Sequence, residues 1–215
     1  MAVVYGNVQG SGTNFSSTSV ETGSITIPST ADRCVKISFL RDTAVSSITS
    51  SCGGVSGTAI TGASGSSGSI TVSDYQVIAP AAGATTASLS WVTAASFCAI
   101  AAVLATGVDQ TTGMNNGTFA SGAEPKTINV TSASGDLTCT SCYSDLGSSS
   151  QTSDRDDRVT GQILCMDTGP GTANPGHTWS DQFGATQVIT GANFVQVSAG
   201  GGGIPHKLMT LGVGF

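Results

Sequence analysis

The sequence carries little charge for its length. Only 9% of its 215 residues are Asp, Glu, Lys or Arg, against about 25% in an average soluble domain. Seven basic residues face thirteen acidic ones, which gives a net charge of −6. The basic pair Arg155 and Arg158 is interleaved with aspartates, whereas a nucleic-acid binder needs clustered Lys and Arg to displace counterions from phosphates. We therefore expect no direct binding of nucleic acid.

Long apolar runs are also missing. The longest, from Ala99 to Ala105, is far shorter than the roughly 20 residues that cross a bilayer. The start of the chain, MAVVYGNVQGSG, lacks the basic residues and the apolar stretch of a signal peptide. We expect a protein made in a host cytoplasm, without membrane contact or signal-peptide export, whose six cysteines are reduced when it first folds.

Helical periodicity is nearly absent, and β-branched residues, serine and glycine dominate the chain. Glycine-rich clusters such as Gly62–Gly68, Gly113–Gly117 and Gly169–Gly176 predict turns. Between such clusters lie the predicted strands, which are Ser24–Ile27, Arg33–Leu40, Ser69–Ile78, Thr86–Val92, Phe97–Thr106, Thr127–Thr131, Asp136–Tyr143, Gly161–Asp167 and Phe194–Ser198.

Many short strands separated by glycine-rich turns are typical of an all-β fold. We expect a two-sheet antiparallel β-sandwich of the jelly-roll type with extended terminal arms. Residues 1–22 would form an N-terminal arm or a first strand, and residues 23–198 the sandwich. Residues 199–215 would form a glycine hinge and an apolar C-terminal arm.

Alternation of side chains predicts parts of the interior. Val35, Ile37 and Phe39 share one face of their strand and should point inward. The alternation breaks at Asp74, where we expect a β-bulge. The segment SFCAIAAVLATG (96–107) is apolar on both faces, which indicates a central strand covered on both sides or a short buried helix.

Three segments, in order, resemble a known domain. They are YQVIAPAAGATTASLSW (75–91), AIAAVLATGVDQTTGM (99–114) and INVTSASGDLTCT (128–140). Together they resemble a β-sandwich domain that recurs in tailed-phage virion proteins and in some bacterial surface proteins, with Gly107–Thr112 as the sharpest part. The resemblance implies a lectin-like jelly roll without a shared catalytic site. The chain departs from that pattern in its several cysteines and its C-terminal arm.

Residues that could carry metal or redox chemistry do not form a complete set. Cys139 and Cys142 make a CxxC, but residues three apart on a strand point to opposite faces, and zinc would need a second ligand pair. Asp154, Asp156 and Asp157 lack the turn glycine and the downstream glutamate of a calcium loop. We expect packed cysteines, a self-paired surface loop, and no metal or cofactor.

Catalytic constellations are missing as well. His177 and His206 are the only histidines, and no GxSxG motif accompanies them. Glu21 and Glu124 are the only glutamates, and their context does not suggest the carboxylate pair of a glycosidase. The sequence therefore predicts a protein that is not an enzyme and has no catalytic residues.

Two apolar features suggest binding. Trp179, in PGHTWSD, could stack on a sugar, although packing in the core is the interpretation we favour. After the run AGGGG, an apolar tail would be costly to leave in water and should bind a partner. Its apolar residues are Ile204, Leu208, Met209, Leu211, Val213 and Phe215.

These observations predict a virion structural protein of a tailed phage, specifically a capsid decoration protein on the particle surface. It would form a homo-oligomer, such as a trimer, and contact the capsid or another virion protein. The alternative is a receptor- or carbohydrate-binding module of a tail or fibre protein that contacts a host surface glycan. An enzyme of unrecognised type is the third hypothesis.

Overall fold

The computed structural model describes residues 2–10, 14–42, 44–123, 125–143, 148–149, 157–158, 164–173, 175–180 and 186–197. Every regular element within these ranges is a β-strand, so the predicted all-β class is confirmed. Across the same ranges, no helix is long and apolar enough to span a membrane.

The strands vary in length from two to twenty residues. In chain order they are β1 (Val4–Gly10), β2 (Asn14–Glu21), β3 (Ile25–Ile27), β4 (Arg33–Arg41), β5 (Thr49–Cys52), β6 (Val55–Ser56), β7 (Thr58–Ser67), β8 (Ile70–Ile78), β9 (Gly83–Thr85), β10 (Ala87–Thr106), β11 (Met114–Ala123), β12 (Lys126–Asn129), β13 (Leu137–Tyr143), β14 (Ser148–Ser149), β15 (Asp157–Arg158), β16 (Leu164–Pro170), β17 (Gly176–Ser180) and β18 (Thr186–Phe194).

The strands form antiparallel sheets. The central sheet runs β6-β5-β10-β4-β8-β7, and β1 and β2 also pair with β10. The second sheet runs β11-β18-β13-β16-β15, and the outer sheet runs β12-β17-β14. Strands β3 and β9 form a short ribbon of their own.

Strand β10 is long enough to pair with different strands of the central sheet along its length. It joins the two predicted strands Thr86–Val92 and Phe97–Thr106 into one element. Its first residues pair with β5, and its last nine pair with β4. Trp91 lies nine positions before Ile100, which would be about 30 Å along a straight strand. Ile100 is paired with Phe39 on β4. The ring centroid of Trp91 is nevertheless only 4.7 Å from that of Phe39. The strand must therefore bend back over the sheet.

The central sheet is consequently buried on both faces. Ala101 and Val103 lie in a core cluster shared with the second sheet. Ile100 and Leu104 lie in a separate cluster with Trp91 on the opposite face. A third cluster joins the second and outer sheets, and its buried members are Ile128, Cys142, Trp179 and Ile189. The prediction of a central strand covered on both sides is confirmed, and the helical alternative is wrong.

Burial of both faces also changes the interpretation of β4. Val35, Ile37 and Phe39 point into one core cluster as predicted, but Lys36 and Ser38 on the other face are buried too. The pairing of β8 with β4 runs without a register shift, whereas the pairing of β8 with β7 shifts between Tyr75 and Ser73, on either side of Asp74. The irregularity predicted at Asp74 therefore lies on the β7 side, and the extra residues belong to β7. The alternation breaks there because Asp74 is a buried ion-pair partner of Lys36.

Two boundary predictions were wrong. The turn predicted at Gly62–Gly68 lies mostly inside β7, because the glycines allow close strand contact rather than chain reversal. A Cβ built on Gly62 would lie 2.3 Å from the carbonyl oxygen of Gly117 in β11. The strand predicted at Phe194–Ser198 instead ends at Phe194 as part of β18.

The chain ends are described to different extents. Strands β1 and β2 fall within residues 1–22, so the strand alternative of the N-terminal prediction is the one observed. The predicted hinge and arm at 199–215 lie outside the described residues.

Burial of β10 on both faces can be tested with one pair of variants. Val103→Asp would place an unpaired charge between two sheets, which costs on the order of 3–5 kcal/mol and should abolish soluble folding. Val92→Asp is the matched control, because Val92 lies on the same strand and is 70% exposed. The measurement is soluble yield followed by thermal melting. A Val103→Asp protein that melts like the Val92→Asp protein would contradict the layered core.

Candidate functional site

Four buried polar side chains meet between the central and second sheets. Lys36 and Ser38 come from β4, Asp74 from β8 and Ser141 from β13, and each is at most 1% exposed. Lys36 Nζ lies 3.0 Å from Asp74 Oδ2. It also donates hydrogen bonds to Ser38 Oγ at 2.9 Å and to Ser141 Oγ at 2.5 Å. These four side chains are called the Lys36 cluster below.

The hydroxyls of the Lys36 cluster form a directed chain. Ser38 Oγ donates to Asp74 Oδ1 at 2.7 Å and lies 2.6 Å from Ser141 Oγ. Because Ser38 uses its single proton on Asp74, the proton between the two serines must come from Ser141. Hydrogen bonds therefore run from the ammonium through Ser141 and Ser38 to the carboxylate.

Strand register explains why these residues meet. Ser38 pairs directly with Asp74, and Lys36 pairs with Gln76 two positions further along. Lys36 and Asp74 are therefore diagonal neighbours on one sheet face, within reach of a long side chain. Removing two charges from water costs several kcal/mol per ion, so such a pair is tolerated only with good geometry and additional hydrogen bonds.

The CxxC cysteines do not form a joint site. Cys139 belongs to the cluster that faces the central sheet, and Cys142 to the one that faces the outer sheet, so the predicted opposite orientation is confirmed. Burial raises the pKa of Cys139 to about 12 and raises the pKa of Cys34 further. A thiol in that range is protonated and is a poor nucleophile.

A second buried cluster, between the second and outer sheets, has the residue types of a catalytic triad. His177 Nδ1 lies 3.1 Å from Asp167 Oδ2, and His177 Nε2 lies 2.9 Å from Thr138 Oγ1. Histidine between a hydroxyl and a carboxylate is the arrangement of nucleophilic hydrolases. All three residues are 0–1% exposed, so no substrate reaches them in this structure.

The hydrogen-bond direction between Thr138 and His177 is also the reverse of that in a catalytic triad. Thr138 Oγ1 donates to the carbonyl oxygen of Gly169 at 2.9 Å. Because the hydroxyl has one proton, His177 Nε2 must donate to Thr138 rather than accept from it. A nucleophilic hydroxyl needs the reverse polarity. In this arrangement the Thr138, His177 and Asp167 side chains connect the second sheet to the outer sheet.

Trp179 lies beside the same layer. Its side chain is fully buried, and its indole N–H donates to Thr140 Oγ1 at 3.2 Å. No ring face is open to a sugar, so the stacking role is corrected to the core role, which the sequence analysis favoured.

Two of the segments behind the family resemblance each supply a loop carboxylate. Asp109 Oδ1 accepts from the backbone N–H groups of Thr111 and Thr112 at 2.9 and 2.7 Å, and these bonds lower the pKa of that carboxyl. Asp136 accepts hydrogen bonds from Asn193 Nδ2 at 2.8 Å and from the backbone N–H of Gln196 at 2.8 Å. Both carboxylates hold loops in place.

One surface groove is lined chiefly by serine and threonine hydroxyl groups. A groove of about 440 Å³ lies on β2, β5, β6 and β10. Among its lining residues, two pairs on the neighbouring strands β5 and β10 are hydrogen-bonded. Thr49 Oγ1 and Ser90 Oγ are 2.7 Å apart, and Ser51 Oγ and Ser88 Oγ are 2.8 Å apart. Glu21 is the charged residue of its lining.

Most of the other predicted site residues lie outside the part of the chain that the structure describes. Asp154, Asp156, His206 and the six apolar arm residues lie outside the described residues, and Asp157 belongs to the two-residue strand β15. Among described residues, no three His, Cys, Asp or Glu side chains form a group that could hold a metal ion. Sequence reasoning missed the Lys36 cluster, although a lysine in the apolar strand RCVKISFLR was a usable signal.

The raised thiol pKa values predict a loss of stability at alkaline pH. An unfolded thiol loses its proton near its ordinary pKa of about 9, whereas Cys34 and Cys139 hold theirs well above it. Stability from these thiols is therefore complete below pH 9 and falls as the pH rises further. Urea unfolding at pH 8 and pH 10 should show a lower free energy of unfolding at pH 10. The fall should be smaller in a Cys139→Ala variant, and an equal fall would contradict this origin.

Comparison with known proteins finds no matching family model, no matching curated protein and no matching solved structure. The resemblance to tailed-phage virion domains therefore stays a prediction.

Proposed function

We propose that the chain is a non-enzymatic structural protein of a tailed-phage virion, specifically a capsid decoration protein that assembles as a homo-oligomer. Its body would be a sandwich of the jelly-roll type. Its partner would be the capsid or another virion protein.

The observation that carries this proposal is that the polar side chains with catalytic potential are either buried between sheets or hydrogen-bonded to loops. The Lys36 cluster and the Thr138–His177–Asp167 cluster are enclosed between packed sheets. Asp109 and Asp136 on the surface are used to hold loops. Side chains used in this way suit a rigid structural part better than an enzyme, whose acid and base must reach a substrate.

The low charge of the chain supports the same proposal. With few charged residues, its surface is polar mainly through serine and threonine, as in the groove on β5 and β10. A surface of that kind suits a protein that is partly covered by neighbours in an assembly. The loops at Gly107–Thr112 and Thr131–Asp136 carry the resemblance, and they meet around residues 193–197.

The apolar segment Ile204–Phe215 is the proposed contact with the partner. Burying its six large apolar side chains would contribute on the order of 10 kcal/mol. Ordering twelve backbone residues costs a similar amount. Binding would therefore need a matching groove on a neighbouring subunit or on the capsid.

The hydroxyl-lined groove favours a second candidate function, which is recognition of a host surface glycan. Serine and threonine hydroxyls both donate and accept hydrogen bonds, as sugar hydroxyls do. The groove has no aromatic platform among its lining residues, so this candidate stands second.

Deletion of Ile204–Phe215 tests the first candidate. The truncated protein should keep its melting temperature but lose its oligomeric state and its co-sedimentation with capsids of the encoding phage. A chain with the same twelve residues in scrambled order is the control for composition. Loss of the monomer fold would show that the segment belongs to the core. Capsid binding that survives the deletion would contradict the proposed role of this segment as the partner contact. Binding to a glycan array without binding to capsids would favour the second candidate.

A further inference from the structure

We propose that Lys36 and Asp74 condense to an isopeptide bond, which cross-links β4 to β8 inside the folded protein. The inference rests on the geometry of the Lys36 cluster and does not depend on the proposed function.

The reacting atoms are already close. Lys36 Nζ lies 3.0 Å from Asp74 Oδ2, and a carboxyl carbon is about 1.2 Å from its oxygens. The nitrogen is therefore about 3–4 Å from Asp74 Cγ, near the separation from which oriented groups react. Both residues lie on paired strands of one sheet, so the backbone maintains the approach.

The reaction requires the uncharged forms of both groups, inside a site that is closed to water. Lys36 and Asp74 are 0% and 1% exposed, so water stabilises neither charge. Transfer of one proton from Nζ to the carboxylate replaces the ion pair with an amine and a carboxylic acid. The amine then has the lone pair that attack on Cγ requires.

The serines provide a path for the protons. Lys36 Nζ donates to Ser141 Oγ and to Ser38 Oγ, and Ser38 donates to Asp74 Oδ1. A proton can therefore leave Nζ and reach the carboxyl group by exchange along these hydroxyls. Ser38 and Ser141 are positioning and relay residues in this scheme.

The reaction is balanced without an oxidant or a co-reactant. The Nζ–Cγ bond forms, and one Cγ–O bond of Asp74 breaks. Two of the three ammonium protons leave with that oxygen as water, and the third remains as the amide N–H. The amide is uncharged, so the product removes the cost of burying an ion pair.

The test is the intact mass of the purified protein under denaturing conditions. The expected mass is lower than that of the sequence by one water. Asp74→Asn should give the same cross-linked product with loss of one ammonia instead. Lys36→Arg keeps the positive charge but should retain its full sequence mass.

Peptide mapping locates the bond. Trypsin should fail to cleave after Lys36, and residues 34–41 should appear joined to the fragment of residues 42–126 that contains Asp74. A wild-type protein with full sequence mass and normal cleavage after Lys36 would overturn the proposal, whether or not the variants fold. Ser38→Ala should slow the loss of water that follows synthesis, measured as intact mass against time after a pulse of expression, and an unchanged rate would contradict the relay.

Discussion

The contact between Lys36 and Asp74 constrains how the two main sheets pack. A charged pair in an interior is tolerated only with good geometry and additional hydrogen bonds, and here Ser141 of the second sheet accepts one of those bonds from Lys36. The second sheet must therefore place Ser141 over β4, which fixes its position relative to the central sheet. Val103 and Phe194 belong to the apolar cluster between the same two sheets.

The same constraint explains why the protein has layers instead of a simple two-sheet interior. One face of the central sheet packs on the second sheet through the Lys36 cluster, and the bent half of β10 covers the other face. Thr138, His177 and Trp179 then join the second sheet to the outer sheet. Polar side chains between layers set register and orientation, because an apolar surface alone would allow the sheets to slide.

Much of the fold was predictable from local pattern. Strands β4, β8 and β13 have alternating or continuous apolar residues, and their predicted bounds agree with the structure within one or two residues. Strands such as β7, with the sequence TAITGASGSS, were missed because glycine and serine predict turns unless a neighbouring strand requires them. The contact of Gly62 with Gly117 is long-range and leaves no local periodicity.

The polar clusters were less predictable for a similar reason. Lys36 and Asp74 could each be seen as exceptions in their strands, but their pairing depends on the register of β4 with β8. The packing role of His177 has no local sequence signal, because its contact with Thr138 joins residues 39 positions apart in sequence. Sequence pattern reveals which side chains are out of place, whereas tertiary register determines what they contact.

Native-state hydrogen exchange tests the central claim of this layered core most directly. Buried central strands should open only when the whole protein unfolds. The amides of β4 and of residues 98–106 in β10 should therefore exchange with the same free energy as global unfolding in urea, while the amides of β6 and β9 exchange faster. Exchange of β4 through a local opening of much lower free energy would contradict the account.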